Sequence, residues 1–490
     1  MKILLVGALS WNPERIRSLH ERGHRLWGLW SRSMAWDQGP YPALQDCVTP
    51  VALADAARTI RGQSIDCVYS LFQVYHPRLW GPATAGAEHG IWALLRMLLD
   101  ERRRGAFDTP IVRHWGFDVH HLAPDIVRAL DGHIFCNREK AAYWTTPVRA
   151  GGCGLDVFED CPVTAFLDSD RPKQEFMNDD FAEPLSARSG EIHTVCIGRP
   201  FGIDYLAAAR RGIHVHHYGN RYDDVWRLIA RSLPLTGARR EAALLQHFVH
   251  VHPSLQTTGL DWDGVRRAKS AWVREFSRYD AGWSYIGSPL PWEPLDDRGA
   301  IPNRLSTYLL AGLPVISDVR PGYYRCEELR RLGVNIDLND ADGLRERLDH
   351  EVRTREGRRN ALRERAAYSF DATIDSLIAT LDRARAAHFA RPQSERAIER
   401  AGRGRLVHFN TSPDPRALAL GLVRRASRPQ RSAHGAPEKR LAPLWEALRA
   451  QARRPFLSIK SGLLLRWLKP VLERTVAPPS PARADHGERR

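Results

Sequence analysis

The sequence predicts an α/β protein: two doubly wound parallel-sheet domains in tandem, followed by a basic, helical or flexible C-terminal tail. Three observations carry that expectation. Short apolar runs ending in glycine alternate with helical stretches over about the first 165 residues. The same alternation restarts after a polar connection. Finally, the surplus of positive charge is confined to the C-terminal end of the chain.

The first domain opens with an apolar strand at 3–6, a turn at Gly7, a helix at 13–22 closed by Gly23 and His24, and a strand at 25–30. Strand, glycine turn, helix and strand form the unit of a parallel sheet wrapped by helices. Further strands are expected at 65–71, 110–114 and 133–136, with a helix at 91–103. Between Arg171 and Gly190 the chain is polar and proline-containing, as an interdomain connection should be. Strands then follow at 192–197, 214–218, 281–286 and 313–317. Helices are expected near 204–211, from 223 onward, and at 303–311, the last ended by Gly312. The expected organisation is a first domain over 1–170, a connection over 171–190, a second domain over 191–345, closing helices over 346–388, the final helical segment packing back across the domains, and a tail over 389–490.

Composition removes several classes. Seven scattered cysteines form no CxxC pair, which fits reduced thiols and offers no zinc ligand set. The opening MKILLVGALSW lacks the apolar core and cleavage site of a secretion signal and reads as a buried strand. No run reaches the roughly 18 apolar residues of a spanning helix. Residues 383–490 carry 24 Lys and Arg against 8 Asp and Glu, while the preceding residues carry 48 and 49. A neutral body therefore bears a basic tail.

In tandem parallel-sheet domains, ligands bind where loops leave the carboxyl ends of the strands. Several chemistry-bearing residues follow expected strands directly. The segment Pro302-Asn303-Arg304-Leu305-Ser306-Thr307-Tyr308-Leu309-Leu310-Ala311-Gly312-Leu313-Pro314-Val315-Ile316 resembles the donor-domain signature of GT-B glycosyltransferases, notably the family 4 type bacterial sugar transferases. Val195-Cys196-Ile197-Gly198-Arg199 is similar to the first strand and glycine turn of that Rossmann-like domain, and Arg278-Tyr279-Asp280-Ala281-Gly282-Trp283 to the strand before its donor loop. Val112-Arg113-His114-Trp115-Gly116-Phe117-Asp118-Val119 is similar to the acceptor-side strand end. Together the matches span about residues 1 to 385, in the expected order.

The resemblance implies a nucleotide-sugar donor held by Gly198, Arg199, Glu293, Asn303, Arg304, Ser306 and Thr307, with no metal and no other cofactor. Arg199 and Arg304 would neutralise the departing diphosphate, since guanidinium groups match phosphate oxygens in a bidentate way. Many relatives carry two glutamates where this chain has Gly299 and Thr307, so ribose recognition departs from the pattern. Glu293, Asp296 and Asp297 in the same loop can take over that contact. Asp118 or His114 would serve as acceptor-side base, a retaining or inverting course remaining open.

The tail interleaves Trp445, Phe456, Leu463, Trp467 and other apolar residues with Arg449, Arg453, Arg454, Lys460, Arg466 and Lys469. Such a segment fits an anionic membrane surface, and so does docking beside a lipid-linked acceptor on the inner membrane face of a cytoplasmic enzyme. A basic helix packed on the body, or a solvated tail, is the other reading. A nucleic-acid partner is disfavoured because no recognisable nucleic-acid module accompanies the charge. A GT-B-shaped scaffold without transfer activity is a further alternative, prompted by the missing glutamates. A nicotinamide dehydrogenase is disfavoured because Gly7-Ala8-Leu9-Ser10-Trp11-Asn12 lacks GxGxxG.

Overall fold

Four consecutive residues, Ile3 to Val6, are fully buried in the first strand, β1 (Lys2–Gly7). A strand covered on both faces needs such an uninterrupted apolar run, which is the mark of a parallel sheet with helices on either side. The computed structural model of the chain describes residues 1–7, 9, 13–30, 42–71, 91–115, 121–122, 124–135, 163–166, 171–198, 203–219, 238–257, 259–284, 304–317, 324–337, 343–391 and 407–408. Among them, no helix is long and apolar enough to cross a membrane. Apart from 389–391 and 407–408, the tail lies outside the described residues, and so does the amphipathic segment.

After β1 come α1 (Pro13–Glu21), β2 (Arg25–Trp30), β3 (Val48–Pro50), α2 (Ala56–Gly62), β4 (Cys67–Ser70), α3 (Ile91–Arg103) and β5 (Ile111–Trp115). The short β6 (His121–Leu122), α4 (Pro124–Ala129), β7 (Gly132–Phe135) and β8 (Thr164–Phe166) follow. Strand order is β3-β2-β1-β4-β5-β7-β8, with every pair parallel. The chain leaves β1 toward one edge and returns beside it with β4, so the winding reverses between these two strands.

The second sheet is built from α5 (Leu185–Ser189), β9 (Ile192–Ile197), α6 (Tyr205–Arg210), β10 (Ile213–Tyr218), α7 (Ala238–Phe248), β11 (Val249–His252), α8 (Trp262–Ser277), β12 (Ala281–Trp283), α9 (Arg304–Leu310), β13 (Val315–Ser317), α10 (Tyr324–Arg331) and β14 (Asn335–Asp337). Its order, β11-β10-β9-β12-β13-β14, repeats the doubly wound plan, with the reversal between β9 and β12. Local chemistry sets several boundaries. Asp204 caps α6 by accepting from Ala207 N at 2.9 Å, and Gly312, at φ +71, turns the chain out of α9.

Three helices close the described body: α11 (Leu344–Thr354), α12 (Glu356–Glu364) and α13 (Phe370–Ala390). Ala361 of α12 packs in the second core. In contrast, α13 places Ile374, Leu377, Leu381 and Ala384 against Ile3, Leu5, Val112 and Ile134 of the first sheet. Their spacing forms one apolar helical stripe. The two-residue β15 (Val407–His408) pairs antiparallel with β6. Both sheets belong to one compact unit, residues 1–225 and 243–411. A second unit takes 226–242 and 412–490, of which residues 238–242, the beginning of α7, are described.

Chain crosses between the sheets twice, and the crossings are tied together. Lys173, 2 % exposed, donates to Glu21 Oε2 at 2.5 Å, Asp371 Oδ1 at 2.9 Å and Ser18 Oγ at 3.3 Å. Gln174 N donates to Asp371 Oδ2 at 2.7 Å, and Phe370 N donates to the carbonyl of Pro172 at 3.0 Å. Beyond the crossing, Lys269 of α8 pairs with the buried Glu14 of α1.

Gly282 of β12 shows how closely the second core is fitted. A Cβ added there would lie 2.6 Å from the ring of Tyr308, which is fully buried and donates its hydroxyl to the Trp283 carbonyl at 2.9 Å. Gly282→Val should therefore cost about 3 kcal/mol, the upper end for an overpacked core. The urea midpoint would fall at constant m-value, whereas an unchanged midpoint would mean that the ring has room to move.

Candidate functional site

The residues that gather at the carboxyl ends of the strands form two groups, one on each sheet. On the second sheet the centre is Arg304, the first residue of α9. Its Nη1 donates to the Trp283 carbonyl at 3.3 Å and approaches Cys196 Sγ at 3.5 Å, so the half-buried guanidinium spans the ends of β9 and β12 at the winding reversal. Tyr308, one turn along α9, accepts from Ile197 N at 3.2 Å and fixes the helix against the same strand ends. Gly198 follows β9 at φ +83, a conformation that favours glycine. No atom lies within 4 Å of where its Cβ would stand, which leaves the turn open to close approach. Ser306 is buried on α9 and Thr307 is half-buried.

His217 of β10 was not singled out by the sequence. It is fully buried, its Nδ1 lies 3.3 Å from Tyr205 Oη, and its Nε2 has no hydrogen-bond partner among the described residues. That nitrogen points toward Gly219, where an added Cβ would meet it at 2.4 Å and the Gly198 carbonyl at 3.6 Å. Burial, then the charge of Arg304, lowers the imidazole to about 4. Burial likewise raises the Cys196 thiol and the Tyr308 phenol. At pH 7 Cys196, Tyr308 and His217 beside Arg304 are therefore neutral.

On the first sheet, His114 of β5 is fully buried. Arg15 Nη1 reaches its Nδ1 at 3.0 Å, and Tyr69 Oη lies 2.8 Å from the same nitrogen. Arg15 also donates to Tyr69 Oη at 3.2 Å. Because a guanidinium only donates, Nδ1 accepts and the ring proton resides on Nε2. Next to it, Arg113 donates to Ser70 Oγ at 3.0 Å and lies 4.9 Å from the Trp115 ring centroid. Burial lowers this guanidinium to about 9. His133, paired with Arg113 across the sheet, accepts from Trp115 Nε1 at 3.0 Å and is lowered to about 3 by burial and by Arg113.

A pH dependence follows from His133 and His217. Both folded values lie below the ordinary imidazole value of about 6.5, so below that pH the unfolded chain takes up protons that the folded protein refuses. Stability should be unaffected above about pH 6.5 and fall below it, by about 1.4 kcal/mol per pH unit for each ring, until the folded values are reached. His133→Gln should make the profile between pH 7 and 5 shallower by one proton, read by urea unfolding. Parallel profiles would mean that His133 takes up its proton at the same pH in the folded and unfolded chains.

Of the residues singled out from the sequence, the structure brings Gly198, Arg304, Ser306 and Thr307 to the second sheet and His114 to the first. Asp118, Arg199, Glu293 and Asn303 lie outside the described residues. Arg15, Tyr69 and His217 were missed. Strand-end position is the one signal that could have found Tyr69 and His217, while Arg15 carries none.

No protein-family model matches the chain, and no curated protein matches it. Solved structures do match. The Anabaena protein HepE in complex with UDP-glucose is 14% identical, covers 77% of this chain and 98% of its own, and gives a TM-score of 0.45. Sucrose-phosphate synthase from Thermosynechococcus elongatus is 12% identical, covering 79% of this chain and 100% of its own at a TM-score of 0.43. An alpha-glucosyltransferase in complex with UDP and a mismatched 13-mer DNA is 12% identical, covering 78% and 100% at 0.47.

Proposed function

We propose that the chain is a GT-B glycosyltransferase that moves a sugar from a nucleotide-sugar donor to an acceptor hydroxyl, with the donor on the second sheet and the acceptor on the first. The observation that carries this reading is Arg304, a guanidinium spanning two strand ends beside the open Gly198 turn. An anion is the ligand such a place favours, and a diphosphate leaving group is the anion that the sequence resemblance implies.

In transfer, the bond from the anomeric carbon to the diphosphate oxygen breaks, and a bond to the acceptor oxygen forms. Arg304 neutralises the charge that develops on the departing oxygen, joined by Arg199 and Asn303 on the strength of their sequence positions. Gly198 admits the phosphates to the backbone. Ser306, Thr307 and Glu293 complete the donor contacts. The acceptor proton goes to a base in an inverting course or to a phosphate oxygen in a retaining one. With Arg15 donating to its Nδ1, His114 presents a donor rather than a lone pair, and the base role falls to Asp118. No metal takes part in this scheme. The enzyme is cytoplasmic, and the basic tail docks it on the inner membrane face beside a lipid-linked acceptor.

Thermal unfolding against UDP, GDP, ADP, dTDP and CMP tests the reading. A cognate nucleotide at a hundredfold excess over Kd should add about 2.7 kcal/mol of stability. Stabilisation by none of the five would favour the scaffold or nucleic-acid alternative.

A further inference from the structure

Because every pair in the second sheet is parallel, the beginnings of its strands lie at the end opposite Arg304. There the chain collects histidines. His193, His214 and His250 are the second residues of β9, β10 and β11, and His216 pairs across the ladder with His250. His193 stacks on His214 at 4.4 Å, and His216 stacks on His250 at 4.3 Å. One corner of this group carries mixed ligand chemistry. Glu191 Oε2 lies 2.9 Å from His214 Nε2, and His247, at the end of α7, faces the same His214 ring at 5.4 Å between centroids. One ligand atom from each of Glu191, His214 and His247 lies within 4.8 Å of the other two.

We propose that Glu191, His214 and His247 bind a divalent first-row transition-metal ion of the zinc class, with water in the fourth position. Two imidazoles and one carboxylate are a borderline donor set that zinc accepts in tetrahedral geometry. The distribution of exposure suits it: His214 is buried and fixed, while His247 is exposed and the Glu191 side chain is 47 % exposed, so both can rotate onto an ion. A supporting contact sits behind the fixed ligand, where His214 Nδ1 lies 3.0 Å from His250 Nε2. Metal on His214 Nε2 leaves the ring proton on Nδ1, donated to His250 Nε2, and a ligating histidine characteristically has such a partner on its other nitrogen. The ion would clip the junction of α7 and β11 to the start of β10, at the opposite end of the sheet from Arg304, and it does not draw on the transfer reading.

The test uses the full-length, untagged protein, stripped with a chelator and titrated with Zn2+ by calorimetry and with Co2+ by visible absorption. One ion per chain should bind, Co2+ should give the intense bands of tetrahedral coordination, and Zn2+ should raise the unfolding temperature. His247→Ala and Glu191→Gln, both at exposed positions, should each weaken Zn2+ at least about tenfold and abolish the thermal shift. Their metal-free unfolding should match the wild type. Zn2+ binding that survives both substitutions undiminished, or a wild-type Kd weaker than about 100 µM, overturns the proposal.

Discussion

Replacing Arg304 by alanine should lower sugar transfer at least about a hundredfold and remove the stabilisation given by the cognate nucleotide. The size follows from where the guanidinium sits. Neighbouring Cys196, Tyr308 and His217 are all held neutral by burial, and none can take over the charge. Stability of the unliganded protein should change much less. Arg304 is half-buried, and its loss leaves the Trp283 carbonyl with the Tyr308 hydroxyl still bound at 2.9 Å, so about 1 kcal/mol is expected. Arg304→Lys should fall between the two, because an ammonium keeps the charge and loses the planar fork. Undiminished transfer in Arg304→Ala would remove the donor site from this end of the sheet. Lost transfer with retained nucleotide stabilisation would instead assign the residue to the transition state alone.

Asp131→Ala should cost about 3–5 kcal/mol, the range for breaking a buried ion pair by removing one partner. Asp131 is 2% exposed and uses both oxygens: Oδ2 accepts from Arg102 Nη1 at 2.7 Å and Ile111 N at 2.8 Å, and Oδ1 lies 2.8 Å from His388 Nδ1. Burial would raise its pKa, but Arg102 and His388 outweigh burial and hold it at about 2. Because His388 lies on α13, the carboxylate is also what fastens the end of that helix to the first sheet. Amide exchange over residues 370–390 should therefore accelerate in the variant more than in the second sheet. A loss below about 1 kcal/mol would show that water replaces the carboxylate at little cost.

The parallel sheets were legible where burial on both faces forced an unbroken apolar run. The strands at 25–30 and 192–197 and the helix at 91–103 were read at their observed bounds. Elsewhere the signal was absent from the residues themselves. Val249–His252 alternates valine with histidine and reads as polar, yet it is an edge strand whose histidines stack on neighbouring rings. Trp262–Ser277 carries its apolar residues between many charges, which hides the stripe that reaches Phe176 and Leu310. The apolar face of α13 could be seen, and α13 does return to the first sheet as the expected final helix packing back across the domains, although its spacing alone does not name the strands it meets. The candidate site divides in the same way. Strand-end position brought His114, Gly198 and Arg304 forward, whereas the Arg15 contact that decides the His114 tautomer joins residues 99 apart in sequence.

The lacing of the two crossings by Lys173 has a mechanical consequence. Two independent tethers would let the sheets twist, slide and hinge separately. Joined through Lys173, Asp371, Gln174 and Pro172, the crossings form one junction, and a motion of one sheet against the other would pivot there. Away from that pivot, the Glu14–Lys269 pair works as a latch, since opening by rotation must part α1 from α8. Ordering of a ligand between the sheets would then cost the entropy of one hinge angle rather than of a whole rigid-body placement.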